Sequence, residues 1–382
     1  MTCVLVVDDS QFVRTVVGNA LATAGYRVET AADGREAVAA ADRYEPAVIT
    51  MDVEMPGLGG IDAVERIMST TPTAILMLSA HTERGADATL EALERGAVSF
   101  VHKPDGSDSR NLAHLTEAVV EAVDELVAAD VSSLALARAA AAVHSTGPNR
   151  HRRVAVAGGS ASQREPDATA RGRGASTSRA VDVDAGEPTV VVGASTGGPK
   201  IVEGLLAGLP AALDATVLVV QHMPAGFTGR FASRLDEISE YDVREARDGD
   251  RIDAGEALVA PGGYHLEVAA SVGGRVRVRL DDGERRHGVR PAIDVTMQTA
   301  AERVSGPLCG VVLSGMGRDG AAGIEAIAAA DGVTVAQDEA TSPVFGIPAK
   351  AIETGCVDAV VPAERLADEL VDALTTNGEN DD

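Results

Sequence analysis

The chain has 382 residues, 58 of them acidic and 33 basic, for a formal net charge of -25, and 45% of it is hydrophobic. That length holds two domains with proper cores, the apolar share argues for folded protein, and the charge disfavours a nucleic-acid backbone or an anionic membrane as partner. Lysine occurs only at Lys103, Lys200 and Lys350, and acidic excess with so little lysine is the surface expected in a salt-loaded cytoplasm.

Cys3, Cys309 and Cys356 have no paired spacing and read as small core side chains, not as a disulfide framework or a zinc site. The N-terminus runs directly into a strand pattern, without a basic segment leading a cleavable apolar one, and no apolar run reaches transmembrane length. A cytoplasmic protein is therefore expected.

Val4 to Val7 form a short buried-strand pattern that ends in Asp8 and Asp9. A helix pattern through Val13, Val16, Val17 and Leu21 leads to a second strand at Tyr26 to Glu29. After a helix around Glu36 to Ala41, a third strand at Ala47 to Met51 ends in Asp52. The fourth, Ala74 to Leu78, ends at Ser79, and the fifth, Val98 to Val101, is followed by Lys103 and Pro104. This alternation predicts a doubly wound α/β domain with one crevice at the strand ends. The crevice collects Asp8, Asp9, Asp52, Ser79 and Lys103. Three converging carboxylates repel unless a hard divalent cation binds, and oxygen ligands beside phosphate select magnesium. A lysine and a hydroxyl complete a site for a transferring phosphoryl group. Each acidic residue alone could be a helix cap or a turn residue; the five together carry the functional reading.

Val4 to Ser10, Met51 to Pro56 with Gly60, Ser79-Ala80, and Phe100 to Pro104 resemble the receiver domain of two-component response regulators. The resemblance implies that Asp52 accepts the phosphoryl group and that Asp8 and Asp9 join it in a Mg2+ site. It also implies that Ser79 is the switch hydroxyl and Lys103 the phosphate-contacting lysine.

A helical pattern through Val120, Val123, Leu126 and Val127 continues from Glu117 to Leu136. From Ala137 to Gly186 the sequence is rich in Ala, Arg, Ser and Gly and has almost no large apolar groups, so it reads as a flexible tether. The basic cluster Arg150 to Arg153 has no aromatic partner and is taken as part of that solvated linker.

Beyond Pro188 the alternation resumes. Thr189 to Val192 lead into Gly193-Ala194-Ser195-Thr196-Gly197-Gly198-Pro199, followed by a helix pattern through Ile201, Val202, Leu205 and Leu206. A serine is thus delivered at a strand end, on a glycine-rich turn beside a helix N-terminus. That suits either a phosphate-binding turn or a serine nucleophile with an oxyanion site. Val217 to Val220 then lead into Gln221-His222-Met223-Pro224, and Cys309 to Leu313 into Ser314-Gly315-Met316-Gly317-Arg318-Asp319-Gly320. In a parallel sheet these ends share one crevice, so Ser195, His222 and Asp319 can meet there as a triad. Alone, His222 could be a core histidine and Asp319 a helix cap. Strands at 256–260, Tyr264 to Ala269 and Arg275 to Leu280, with a hairpin signal at Gly273-Gly274, mark an antiparallel excursion. A strand at Val333 to Ala336 and a final packed helix through Ile347, Ala351 and Ile352 precede Val357 to Val361. The tail from Asn377 is expected to fray. The fold class is therefore α/β: two doubly wound domains, an N-terminal five-stranded parallel receiver and a C-terminal mostly parallel sheet with an antiparallel excursion. The boundaries read as 1–125 for the receiver, 126–187 for helical extension and linker, 188–374 for the output domain and 375–382 for the tail.

The Ser195 turn, Gln221 to Pro224 with Phe227-Thr228, Ala260-Pro261-Gly262 with His265-Leu266, Arg290-Pro291 with Asp294, and Gly315 to Gly317 with Asp319-Gly320 resemble the chemotaxis protein-glutamate methylesterases, the CheB family. The resemblance spans about 188 to 370 and implies hydrolysis of glutamate γ-methyl esters on chemoreceptors, often with deamidation of receptor glutamines. It implies Ser195 as nucleophile, His222 as general base and Asp319 as orienting acid, with no cofactor for the hydrolysis itself. Thr196, Met223 and Met316 are expected to serve through their backbone at the oxyanion site, and Arg290 to contact acidic groups of the substrate or form a structural salt bridge. Ser314 stands where the family more usually has threonine, which keeps the hydroxyl. A histidine kinase, CheA, is the implied phosphodonor, and a monomer acting at receptor arrays is expected. Ester and amide share acyl-transfer chemistry, so a mainly glutamine-deamidating enzyme is an alternative. A non-enzymatic regulator is a second; it is disfavoured because the output half lacks a helix-turn-helix and a basic face.

Overall fold

Cys3–Val7 (β1) and Val48–Asp52 (β3) are buried along their whole length, as strands covered by helices on both faces must be. The structure is a computed structural model describing residues 1–80, 83–103, 109–128 and 187–375. With Arg27–Ala31 (β2), Ala74–Ala80 (β4) and Ser99–Lys103 (β5), β1 and β3 form a parallel sheet in the order β2-β1-β3-β4-β5. Its helices are Gln11–Thr23 (α1), Gly34–Tyr44 (α2), Gly60–Thr70 (α3), Glu83–Glu94 (α4) and Ser109–Ala128 (α5). Local signals start them: the Ser10 side chain accepts from Val13 N–H, and Asp33 accepts from the N–H groups of Arg35 and Glu36. The helical pattern expected from Glu117 forms the end of α5 as far as Ala128, while its continuation to Leu136, the tether from Ala137 and the tail from Asn377 lie outside the described residues.

The second sheet has seven strands, all parallel, in the order β15-β14-β13-β6-β7-β10-β8. These are Thr189–Ala194 (β6), Thr216–Gln221 (β7), Asp242–Glu245 (β8), Glu256–Val259 (β10), Leu308–Val312 (β13), Val333–Gln337 (β14) and Ala359–Val361 (β15). The antiparallel excursion is a separate sheet, in which His265–Val272 (β11) pairs with Arg275–Asp281 (β12) and β12 with Arg251–Ile252 (β9).

Strand alternation divides the core. Val190 and Val192 face a layer with Pro199–Gly208 (α6), Thr228–Ile238 (α7) and Leu366–Thr375 (α11). Val191 and Val312 face Ile293–Arg303 (α8), Ala321–Ala329 (α9), Ile347–Glu353 (α10) and the antiparallel sheet. Fully buried valines and isoleucines of this kind contribute about 1.5–3 kcal/mol each. The segment 347–353 is not the last helix, as the sequence suggested. α11 follows it and buries Leu366 and Leu370 against the first layer, a pairing that the short period of Leu366–Thr375 did not announce.

The chain lays β6, β7 and β10 to one side and then returns to add β13, β14 and β15 on the other. The order reverses at β6, and the crevice for chemistry lies at the C-terminal ends of the strands beside it.

Candidate active site

Ser195 follows β6 directly, and its backbone N–H donates to the carbonyl of Ser314 at 3.0 Å, joining the β6 and β13 strand ends. Gly197 has φ +75, a conformation open to glycine at little cost. A Cβ on Gly315 would lie 2.7 Å from that of Ser195, so the β13 turn reaches the serine only because position 315 is glycine. The Ser314 hydroxyl donates to Thr196 O at 2.8 Å and accepts from Val344 N–H at 3.0 Å, giving the substituted hydroxyl a bracing role.

His222 follows β7, and its Nε2 lies 2.8 Å from Asp319 Oδ2. Asp319 is almost wholly buried and accepts from the N–H groups of Ile293 at 2.7 Å and Asp294 at 2.9 Å, which cap α8. Burial works against its ionisation, but the His222 hydrogen bond and charge and these two N–H groups hold its carboxyl below the ordinary aspartate value. With Nε2 turned to the carboxylate, Nδ1 is the ring nitrogen left for a serine proton. Ser195, Thr196, Gln221, His222, Met223 and Pro224 line one cleft. Among the described residues no hydrogen bond joins Ser195 Oγ to the ring. The backbone N–H groups of Thr196, Met223 and Met316 likewise donate to no partner among the described residues.

Two site residues escaped the sequence reading. Gln221 is buried, and its Nε2 donates to Ser195 O at 2.9 Å and to His222 O at 3.2 Å, so one amide ties the serine turn to the histidine turn. Gln337, at the end of β14, accepts from Ser314 N–H at 2.8 Å and so holds the third turn. A polar residue closing an apolar strand was the available signal for both. Arg290 sits elsewhere: its guanidinium donates to the carbonyls of Asp282 and Gly283 in its own loop, forms no ion pair among the described residues and does not line the cleft.

In the first domain, Lys103 Nζ lies 2.7 Å from Asp8 Oδ2 and 2.8 Å from Asp52 Oδ1, while Asp8, Asp9 and Asp52 bring carboxylate oxygens within 4.8 Å of one another. Burial pushes the Asp52 carboxyl up to about 6; Lys103 opposes the shift, and Asp8 and Asp9 add to it. Three carboxylates against one ammonium leave negative charge that fits a hard divalent cation. The Ser79 hydroxyl accepts from Thr89 at 2.6 Å.

The two domains meet over the hydrolytic cleft. Leu93, Val98, Ser99 and Phe100, from α4 and the start of β5, line it opposite Ser195. The Val98 carbonyl accepts from Gly197 N–H at 2.8 Å, and the Phe100 ring stacks on Phe227 with centroids 4.7 Å apart. Arg234 Nε is 2.9 Å from Glu94 Oε1 and 3.7 Å from Glu203 Oε1, an electrostatic pairing without hydrogen-bond alignment.

A parallel receiver sheet with an acidic crevice, docked on a second parallel sheet that gathers serine, histidine and aspartate at its strand ends, defines a response regulator with a hydrolase output domain. The family model for the response regulator receiver domain matches residues 4–115, and that for the CheB methylesterase matches 190–370. The chain belongs to the CheB family of methylesterases with a receiver domain. A protein-glutamate methylesterase/protein-glutamine glutaminase of Natronomonas pharaonis is 52% identical over 97% of this chain and 97% of its own. Its counterpart in Halobacterium salinarum is 50% identical over 98% of this chain and 99% of its own. The crystal structure of the Thermotoga maritima CheB methylesterase catalytic domain is 41% identical and covers 49% of this chain and 98% of that one, with a TM-score of 0.47.

Proposed function

We propose that this enzyme, a methylesterase acting on glutamate residues of chemoreceptors, works by a Ser195–His222–Asp319 triad under the control of its receiver. Ser195 Oγ attacks the γ-ester carbonyl as His222 Nδ1 takes its proton, and Asp319 holds the imidazolium that forms. The N–H groups of Thr196, Met223 and Met316 are the donors for the oxyanion. His222 returns the proton to methoxide, methanol leaves, and water repeats the sequence to free the glutamate. With a glutamine side chain the same steps release ammonia. The observation that carries this reading is the 2.8 Å His222–Asp319 contact, with Asp319 locked by two backbone N–H groups at the cleft that Ser195 lines. Methanol release from methylated receptor tests it: Ser195→Ala should lose at least about 10^4-fold in rate, and turnover near wild type would sink the mechanism.

Control follows from the docked receiver. Asp52 takes a phosphoryl group from the kinase CheA, and Asp8, Asp9 and Asp52 hold Mg2+, which neutralises phosphate charge when bound. The added charge draws Ser79 and Lys103 toward the phosphate and shifts the α4–β5 face that covers Ser195. The domain limits are those at 1–125 and 188–374, and the site of action is the receptor array. No helix among the described residues is long and apolar enough to cross a membrane. The acidic surface suits a salt-rich interior, and unfolding midpoints should rise steeply from low salt to molar KCl.

A further inference from the structure

Asp319 is not alone beneath the cleft. Asp294, equally buried, lies beside it, and the two aspartates cap each other's helices. Asp319 takes the N–H groups that open α8, while Asp294 Oδ1 accepts from Gly320 N–H at 2.9 Å and Gly323 N–H at 2.7 Å, at the start of α9. Two neighbouring buried carboxylates repel, and helix N-termini offset only part of that repulsion. An imidazole flanks the pair on each side. His222 Nε2 meets Asp319 from the cleft. From the solvent side His287 Nε2 reaches Asp294 Oδ2 at 2.7 Å and lies 3.8 Å from Asp319 Oδ1.

The backbone at His287 adds an independent observation. Arg286 and Val289 exchange backbone hydrogen bonds around His287 and Gly288, whose φ values are 53 and 76, so both central residues are left-handed as in a type I′ turn. Asparagine or glycine adopts that turn more readily than histidine. The turn instead carries a titratable ring aimed at the buried pair. Within ion-pairing distance His287 meets Asp294 from α8 and Asp319 from the β13–α9 loop, and no other charged side chain among the described residues pairs with it.

We propose that His287 is a positioning residue of the esterase reaction, the outer imidazole of an imidazole–carboxylate–carboxylate–imidazole row that sets how firmly Asp319 holds the proton on His222. The proposal rests on the triad reading above. Its direction follows from charge. The His287 ring offsets part of the negative charge of the aspartate pair; without it the pair holds the His222 imidazolium more firmly. The consequence lies in the rate of the chemical step, because His287 lies behind Asp319 and does not line the cleft.

The test is the pH profile of methanol release from methylated receptor by the full-length protein and its His287→Asn, His287→Lys and Ser195→Ala variants. Asparagine keeps the left-handed turn and removes the ring; lysine supplies a charge. His287→Asn should move the acid limb of kcat/KM to higher pH by about half a unit or more, and lower kcat several-fold with KM unchanged. His287→Lys should restore the limb. All variants share the receiver groups, so the difference isolates position 287. An unmoved limb in His287→Asn, a loss expressed in KM, or a shift that lysine fails to reverse overturns the proposal. So does a lowered thermal midpoint accompanied by reduced kcat and an unmoved limb, which marks His287 as structural only. If Ser195→Ala stays active, the triad reading falls and takes the proposal with it; if that variant is dead and the limb is unmoved, the proposal alone fails.

Discussion

At the ends of β1 and β3, Asp8 and Asp52 pair with a single ammonium, Lys103, with Asp9 clustered beside them; beside the end of β13, Asp319 and Asp294 are wrapped by four backbone N–H groups and two imidazoles. Both sites lie at C-terminal strand ends of parallel sheets, so topology does not separate them. Compensation does. The receiver leaves its carboxylates under-neutralised, with Asp52 pushed up to about 6 by burial and opposed by Lys103, so a cation or a phosphoryl group can change the balance. The hydrolase fixes its carboxylates with dipoles that cannot move away, as a site needing one rigid geometry should. One cluster is poised to respond, and the other is set in place.

The sharpest way to break this contrast is to neutralise each side in turn. Asp319→Asn should lower kcat about 10^3–10^4-fold, by removing the charge that holds the His222 proton. Asp52→Asn in the same assay should leave the chemistry intact and abolish only the response to phosphodonor. Equal losses from both would erase the distinction. Next in size, Gln221→Met removes the amide that ties the Ser195 and His222 carbonyls, and kcat should fall about 10–100-fold with KM little changed, as expected when reacting groups lose alignment. A fall confined to KM would assign Gln221 to substrate binding.

Smaller effects report on the boundary between the two clusters. Phe100→Ala removes the ring stacked on Phe227, and an aromatic pair contributes roughly 0.5–1.5 kcal/mol beyond its burial. The unphosphorylated protein should therefore run about 2–10-fold faster, and an unchanged or slower rate would mean that this contact does not hold the receiver over the cleft. The last effect is on stability. Because the folded Asp52 carboxyl titrates near 6 and the unfolded one near 3.8, the native state binds the extra proton between these values. This group's penalty is absent below about pH 3.8, grows as pH rises through 6, and is complete above it. Without Mg2+ at neutral pH, Asp52→Asn should stabilise the receiver by on the order of 1–3 kcal/mol, and the gain should vanish toward pH 4 in urea titrations. A pH-independent difference would contradict the charge argument.

The sequence made much of this legible for a physical reason. Apolar strand runs ended in polar residues, so Asp8, Asp52, Ser79, Ser195 and His222 could be placed at strand ends from pattern alone, and a parallel sheet brings such ends together. Asp319, six residues past Leu313, needed the glycine-rich turn as a further clue. The residues that went unread act through partners distant in sequence. Nothing near Gln221 signals the Ser195 carbonyl, and nothing near Glu94 signals Arg234. His287 follows Glu284, Arg285 and Arg286, and nothing in that charged run discloses that the turn aims the ring at Asp294. The partners of Arg290 were equally unreadable, since a cation in a motif does not disclose that it meets loop carbonyls. Periodicity reports which side of an element is buried, but not which element buries it, so the receiver face that meets the cleft was out of reach.

The central claim, that the receiver covers a triad built on Ser195 and releases it on phosphorylation, is tested most directly by methanol release from methylated receptor. Three forms are compared: full-length protein, full-length protein with Mg2+ and a small phosphodonor, and the 188–382 fragment. The phosphorylated protein and the fragment should both outpace the untreated full-length form, and Asp52→Asn should cancel the phosphodonor response. Equal rates in all three forms would contradict the claim and leave the receiver with no part in gating the esterase.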